Sequence, residues 1–387
     1  MSMTSRQRVK AVLNHEVPDR VPIILGVSNA TGIKMKPFQG VKKLVNIDAP
    51  DKYVYDWPEL GTALPDEQSM LRLRSDARPV LDRFPEWVLE RKNKRGAHDP
   101  FIDDWGGGQV EIEPGVWYPG YYPMAKASTI KELEEYPHWP DMDDPTRLIG
   151  VREESARLAG ENQYAIMGTP WLLFPFERAF GLQGMDTFLL NMAMNPDFAS
   201  ALLKKNLELC KQLMGHFLDA VGENLDIIKI GDDLGTQEKL MISPRMYRQM
   251  LKPIHADLIA FIKQRTKAKV FFHTDGDVFD LIEDFIEIGV DVLNPIQTSA
   301  GKMADLEGLK ERFGKRIVFC GAIDTQKVLP FCSPDEVRQE VRRVMRILGR
   351  DGGYMVASVH TIMNEVPPEN ILAMVDAVEE YGYYPLK

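Results

Sequence analysis

The chain has 387 residues, a formal net charge of -10 and three cysteines, Cys210, Cys320 and Cys332, with no CxxC pair. The acidic balance speaks against a nucleic-acid partner, which calls for a basic face, and no apolar run approaches the ~18 residues of a membrane span. So few cysteines exclude a disulfide scaffold or a Cys-rich zinc module and fit a reducing cytoplasm, the compartment expected here.

In chain order, Thr4 or Ser5 can cap a first helix that runs to about Asn14. A turn at Glu16–Arg20 leads to a short buried strand, Val21 to Val27, with Pro22 near its start. From about 31 to 160 the pattern is irregular and rich in Pro, Gly, Trp and Tyr. It reads as a long insertion with a β-hairpin or two that covers a pocket. Its triple glycine, Gly106-Gly107-Gly108, has no Lys-Ser/Thr after it and is not a phosphate loop. From 145 onward helices and short apolar strands alternate. Strands are expected at 164–168, 226–230, 269–273, 290–294, 316–320 and 354–358, and a last helix at 368–381. With the strand at 21 that makes seven. The alternation predicts a single (β/α)8 TIM barrel over 1–387, with one strand not placed.

In a barrel, chemistry sits where strands end. The strand at 226 runs into Gly231-Asp232-Asp233-Leu234-Gly235-Thr236-Gln237, and that at 269 into His273-Thr274-Asp275. The strand at 290 ends in Asn294-Pro295-Ile296-Gln297, and that at 354 in Ser358-Val359-His360. His273 and Asp275 are two apart on an extended segment and can aim at one point. With His360 they can form a two-histidine, one-carboxylate metal site, or without a metal a proton relay. The bland reading is that His273 only ends its strand and Asp275 caps the next helix. Of the neighbours Asp232 and Asp233, one is expected to enter the site as an acid or orienting group while the other caps or braces.

The chain resembles the uroporphyrinogen decarboxylase superfamily, which includes the zinc-dependent methyltransferases of corrinoid pathways. The segment Ser5 to Pro22 is similar to its opening helix and first strand, Gly231 to Gln237 with Ile242-Ser243-Pro244 to its paired aspartates, and Pro367-Pro368-Glu369 to its closing helix. The resemblance implies a (β/α)8 barrel, often dimeric. The decarboxylase branch has an arginine-bearing motif after the first strand, and here Gly26-Val27-Ser28-Asn29-Ala30-Thr31-Gly32 has no arginine. Without those cations a polycarboxylate tetrapyrrole would be poorly neutralised. The methyltransferase branch binds zinc through His-x-Cys and a later Cys. His273 matches the His, while Asp275 and His360 stand at the two Cys positions. The resemblance thus implies the metal ligands His273, Asp275 and His360, a harder set than a thiolate-bearing one.

That set points to the branch resembling O-demethylases, which move a methyl group from a methoxylated, aromatic substrate to the cobalt of a partner corrinoid protein. In this reading His273 and Asp232 or Asp233 are catalytic, Asn294, Gln297 and Gln237 orient the substrate, and Trp171 and Phe174 line its pocket. The alternatives are a metal-independent decarboxylase or lyase acting on a small acid, a methyl-corrinoid:thiol methyltransferase, and a non-catalytic subunit that docks the corrinoid protein.

Overall fold

The structure is a computed structural model that describes residues 3–96, 99–113, 116–171 and 175–386. Its strands are β1 (Ala77–Val80), β2 (Phe101–Ile102), β3 (Gly108–Glu113), β4 (Val116–Tyr121), β5 (Ala165–Gly168), β6 (Ile227–Gly231), β7 (Lys269–His273), β8 (Val292–Ile296), β9 (Val318–Ile323) and β10 (Tyr354–Ser358). Seven of them form one parallel sheet in the order β1-β5-β6-β7-β8-β9-β10. The intervening helices, such as Pro196–Val221, Lys252–Arg265 and Pro334–Leu348, pack outside it. The fold is TIM-barrel-like.

The segment expected as the first strand is extended but too irregular to count as one. Pro22 has no N–H for a ladder. It still bridges the two edges. Ile24 N donates to Val356 O and Val356 N to Pro22 O, both at 2.8 Å, on the β10 side. On the β1 side Asp76 N donates to Ile23 O at 2.8 Å, and the Asp76 carboxylate accepts from Ile23 N at 2.8 Å. Arg8 and Arg20 hold that buried carboxylate at 2.7 and 3.1 Å. The strand that the sequence left unplaced is β1, which lies within the 31–160 stretch and pairs with β5. The rest of that stretch includes the antiparallel sheet β2-β3-β4.

Period-two alternation sorts the strands' side chains. Ala165, Met167, Ile227, Phe271, Val292, Val318, Cys320, Met355 and Ala357 point into the barrel. There they meet Val9, Val12 and Leu13 of the first helix, which plugs the lower end. Ile166, Ile228, Ile230, Val270, Phe272 and Leu293 face outward into the helix layer. The first helix, Ser5–Leu13, is set by a capping box in which Thr4 accepts from Gln7 N. No helix among the described residues is long and apolar enough to cross a membrane.

Candidate metal centre

The same alternation decides what reaches the barrel mouth. On β6 it continues from the inward Ile227 to Lys229, Gly231 and Asp233, and on β7 from Phe271 to His273 and Asp275. Gly231 lies opposite His273, where an added Cβ would sit 2.4 Å from the His273 carbonyl oxygen, so only glycine lets the imidazole stand there. Beyond the strands the two following loops cross. Gly276 has a φ of +88°, and a Cβ on it would lie 2.3 Å from the carbonyl carbon of Gly235. That crossing places Asp275.

His273, Asp275 and His360 come together. One potential ligand atom from each lies within 4.8 Å of the others. Asp275 Oδ2 is 3.9 Å from His273 Nε2 and 3.6 Å from His360 Nε2, and the two imidazole centres are 5.6 Å apart. These separations are too long for hydrogen bonds. His273 Nδ1 meets Asn294 Oδ1 at 2.7 Å, which makes Nδ1 the protonated nitrogen and leaves the Nε2 lone pair toward Asp275. Burial, with Lys229 and His360 nearby, holds His273 well below the usual imidazole range. Partial burial, Lys34 and Lys229 also lower His360. Both rings are therefore neutral at neutral pH, the form that ligates a cation. Asp275 is pushed well above the usual carboxylate range by burial and by Asp233. Its Oδ1 is buried without a hydrogen-bond partner. Two neutral imidazoles, a carboxylate with an orphaned oxygen and no hydrogen bonds among them fit a divalent cation such as zinc.

A second layer surrounds the trio. Asp233 accepts from Asp275 N at 3.0 Å, and Glu177 Oε1 accepts from Asp233 N at 3.0 Å. Glu177 is raised well above the carboxylate range by burial and then by Asp233 and Asp232. Lys229 is lowered by burial and donates to Asn29 Oδ1 at 3.3 Å. Sequence reasoning missed Lys229 and Glu177. A lysine inside the apolar run Ile227-Ile228-Lys229-Ile230 was a readable signal, since a buried strand rarely carries one without a purpose. Glu177 looked like any acid in a helix's first turn.

Several expected residues serve elsewhere. Asp232 is fully buried on the outward side. It accepts from Phe176 N, Glu177 N and His255 Nε2 at 3.2, 2.9 and 2.9 Å, so it braces a helix start and an imidazole and does not join the trio. Asn294 is fully buried and orients His273 instead of a substrate. Gln297 is buried, and its Oε1 accepts from Gly276 N at 2.7 Å, bracing the loop crossing. Gln237 is exposed, and its carbonyl accepts from Gly301 N. Trp171 joins an aromatic cluster with Tyr55, Trp57, Phe84 and Phe101 beyond the ends of β1 and β5. Its backbone N–H donates to Asp82 Oδ1 at 2.5 Å. Phe174 lies outside the described residues.

Residues 116–381 match the family model described as Uroporphyrinogen decarboxylase (URO-D). The uroporphyrinogen decarboxylase of Psychromonas ingrahamii is 25% identical over 219 residues, 55% of this chain and 57% of the relative. That of Methylococcus capsulatus is 24% identical over 187 residues, 47% and 49% of the two chains. The chain thus spans about half the length of these curated relatives. Among solved structures, a methyltransferase from Methanosarcina mazei aligns over 98% of this chain and 99% of its own. The TM-score is 0.67 at 20% identity, a likeness of fold.

Proposed function

As this chain belongs to the uroporphyrinogen decarboxylase family, we propose that within the family it is a methyltransferase that removes the methyl group of a methoxylated aromatic substrate and passes it to a corrinoid protein. The observation that carries this reading is the convergence of His273, Asp275 and His360 within 4.8 Å. The absence of arginine from Gly26–Gly32 speaks against a tetrapyrrole polycarboxylate as substrate.

His273, Asp275 and His360 would hold zinc, which when bound supplies a Lewis acid for the ether oxygen. The corrinoid of the partner supplies the nucleophile for the methyl carbon. The bond that breaks is O–CH3. The oxygen keeps its electron pair and must end as a phenol, so the site needs a proton. Glu177 is placed to hold it. Its Oε1 is engaged by Asp233 N, and burial beside Asp233 and Asp232 raises its proton affinity well above that of an ordinary carboxylate. Asn294 fixes the His273 tautomer, and Asp233 anchors the Asp275 backbone. The aromatic cluster with Trp171 offers a ring-binding, water-poor wall.

The test is incubation of the pure protein with a methoxyarene and a reduced corrinoid protein, followed by assay of the free phenol. Phenol release that His273→Ala abolishes is expected. No phenol from any methoxyarene, with the metal bound, removes the proposal.

A further inference from the structure

Beneath the β2-β3-β4 sheet lies a cavity of about 140 Å³, walled by Trp57, Phe101 and Trp171 and reached by Arg178 and Gly181. Its polar groups are unbalanced. Arg178 is 2% exposed; its Nη1 donates to Asp103 at 2.8 Å, but its Nε has no partner. Trp57 is 4% exposed and its indole N–H has no partner, and neither has that of Trp171. All three groups are donors that cannot accept. The one carboxylate among them, Asp103, is engaged at both oxygens, by Arg178 on one and by Trp105 N and Gly107 N on the other. Buried donors rarely go unpaired. A ligand here must therefore bring acceptors, and the walls are flat rings. A cavity of about 150 Å³ takes one benzene, so about 140 Å³ holds one ring and leaves a further substituent to project beyond it. The indoles of Trp57 and Trp171 meet edge-on at 88° with centres 5.0 Å apart, a geometry that offers both a face and an edge to a third ring.

We infer that this cavity seats the substrate's ring, and that the ring is a single arene bearing acceptor oxygen beyond its ether, as in a methoxyphenol, taken by the N–H groups of Trp57, Trp171 and Arg178, while the ether oxygen projects out of the cavity toward the metal ligands. The inference rests on the demethylation reading and narrows its substrate class. The cavity is tied to the metal ligands through few residues. Arg178 follows Glu177, Glu177 accepts from Asp233 N, and Asp233 accepts from Asp275 N.

The experiment is calorimetric binding of 2-methoxyphenol, with toluene as the oxygen-free comparison, to the full chain, and wild type should bind both. Trp57→Phe and Trp171→Phe each keep a ring but lose one donor. Each should weaken 2-methoxyphenol about tenfold while leaving toluene within about twofold. Gly181→Leu removes no hydrogen bond. A Cβ at Gly181 meets only Arg178 Nη1, at 3.7 Å, so the added side chain has room to enter the cavity and should abolish binding of both compounds. The inference is overturned if both Trp→Phe variants bind 2-methoxyphenol as wild type does, or if Gly181→Leu binds it unchanged. Binding in this pattern without phenol release would remove the demethylation reading and leave the cavity assigned. Turnover with an unchanged KM in both Trp→Phe variants would do the reverse.

Discussion

His273 and Asn294 face each other on β7 and β8, with Nδ1 of the imidazole 2.7 Å from Oδ1 of the amide. The amide is itself oriented, since its Nδ2 donates to Cys320 O at 3.4 Å. One hydrogen bond thus decides which ring nitrogen is free to ligate. Asn294→Ala should lower zinc affinity about 10–100-fold, while Asn294→Asp, which still accepts from Nδ1, should keep most of it. Chelator competition measures both. Equal affinity in wild type and Asn294→Ala would show that the contact does not set the tautomer.

Asp232 belongs to the scaffold. Asp232→Asn leaves two helix N–H groups and the His255 imidazole sharing a single acceptor, deep in the protein. Stability should fall by about 2–4 kcal/mol in urea denaturation. Zinc content per folded molecule should not change, and a lost metal would place Asp232 in the site after all.

Asp82 gives the pH dependence. Burial is the largest influence on it and raises its carboxyl to about 7. Between about pH 4 and 7 the folded chain therefore keeps a proton that the unfolded chain has released, and stability falls as pH rises through that window. Asp82→Asn keeps an oxygen for Trp171 N and removes the titration, so it should flatten that slope and be more stable than wild type at about pH 8. Denaturation across that range decides it, and parallel curves for the two proteins would refute the assignment.

Gly276→Ala tests the loop crossing. A Cβ there meets the Gly235 backbone at 2.3 Å, on a residue with a φ of +88°. Backbone cannot yield as a side-chain tip can, so the loops must part. A loss of about 2–4 kcal/mol is expected. Because Asp275 is the preceding residue, zinc affinity should fall with it. A variant as stable and as metal-avid as wild type would mean that the crossing does not position Asp275.

Much of this was readable from the chain. The strand Lys269–His273 falls where its apolar run predicts, and the alternation of strand and helix gives the barrel. The two-residue spacing of His273 and Asp275 states their common direction. What stayed hidden depended on long-range pairing. β1, Ala-Arg-Pro-Val, has a proline and an arginine and no apolar run of its own; it is a strand because β5 pairs with it. Asn294 and Gln297 have the residue types of substrate-binding groups. Only the register between β7 and β8 and the loop crossing show that they serve His273 and Gly276. Glu177 reaches the site because Asp232 caps its helix, a contact 55 residues apart in sequence.

Metal analysis of protein purified without chelator is the most direct test of the centre. A single zinc per chain is predicted in wild type, falling to near zero in folded His273→Ala and Asp275→Ala protein. A folded wild-type chain that takes up no divalent cation when zinc is supplied, or variants that keep it, would contradict the account.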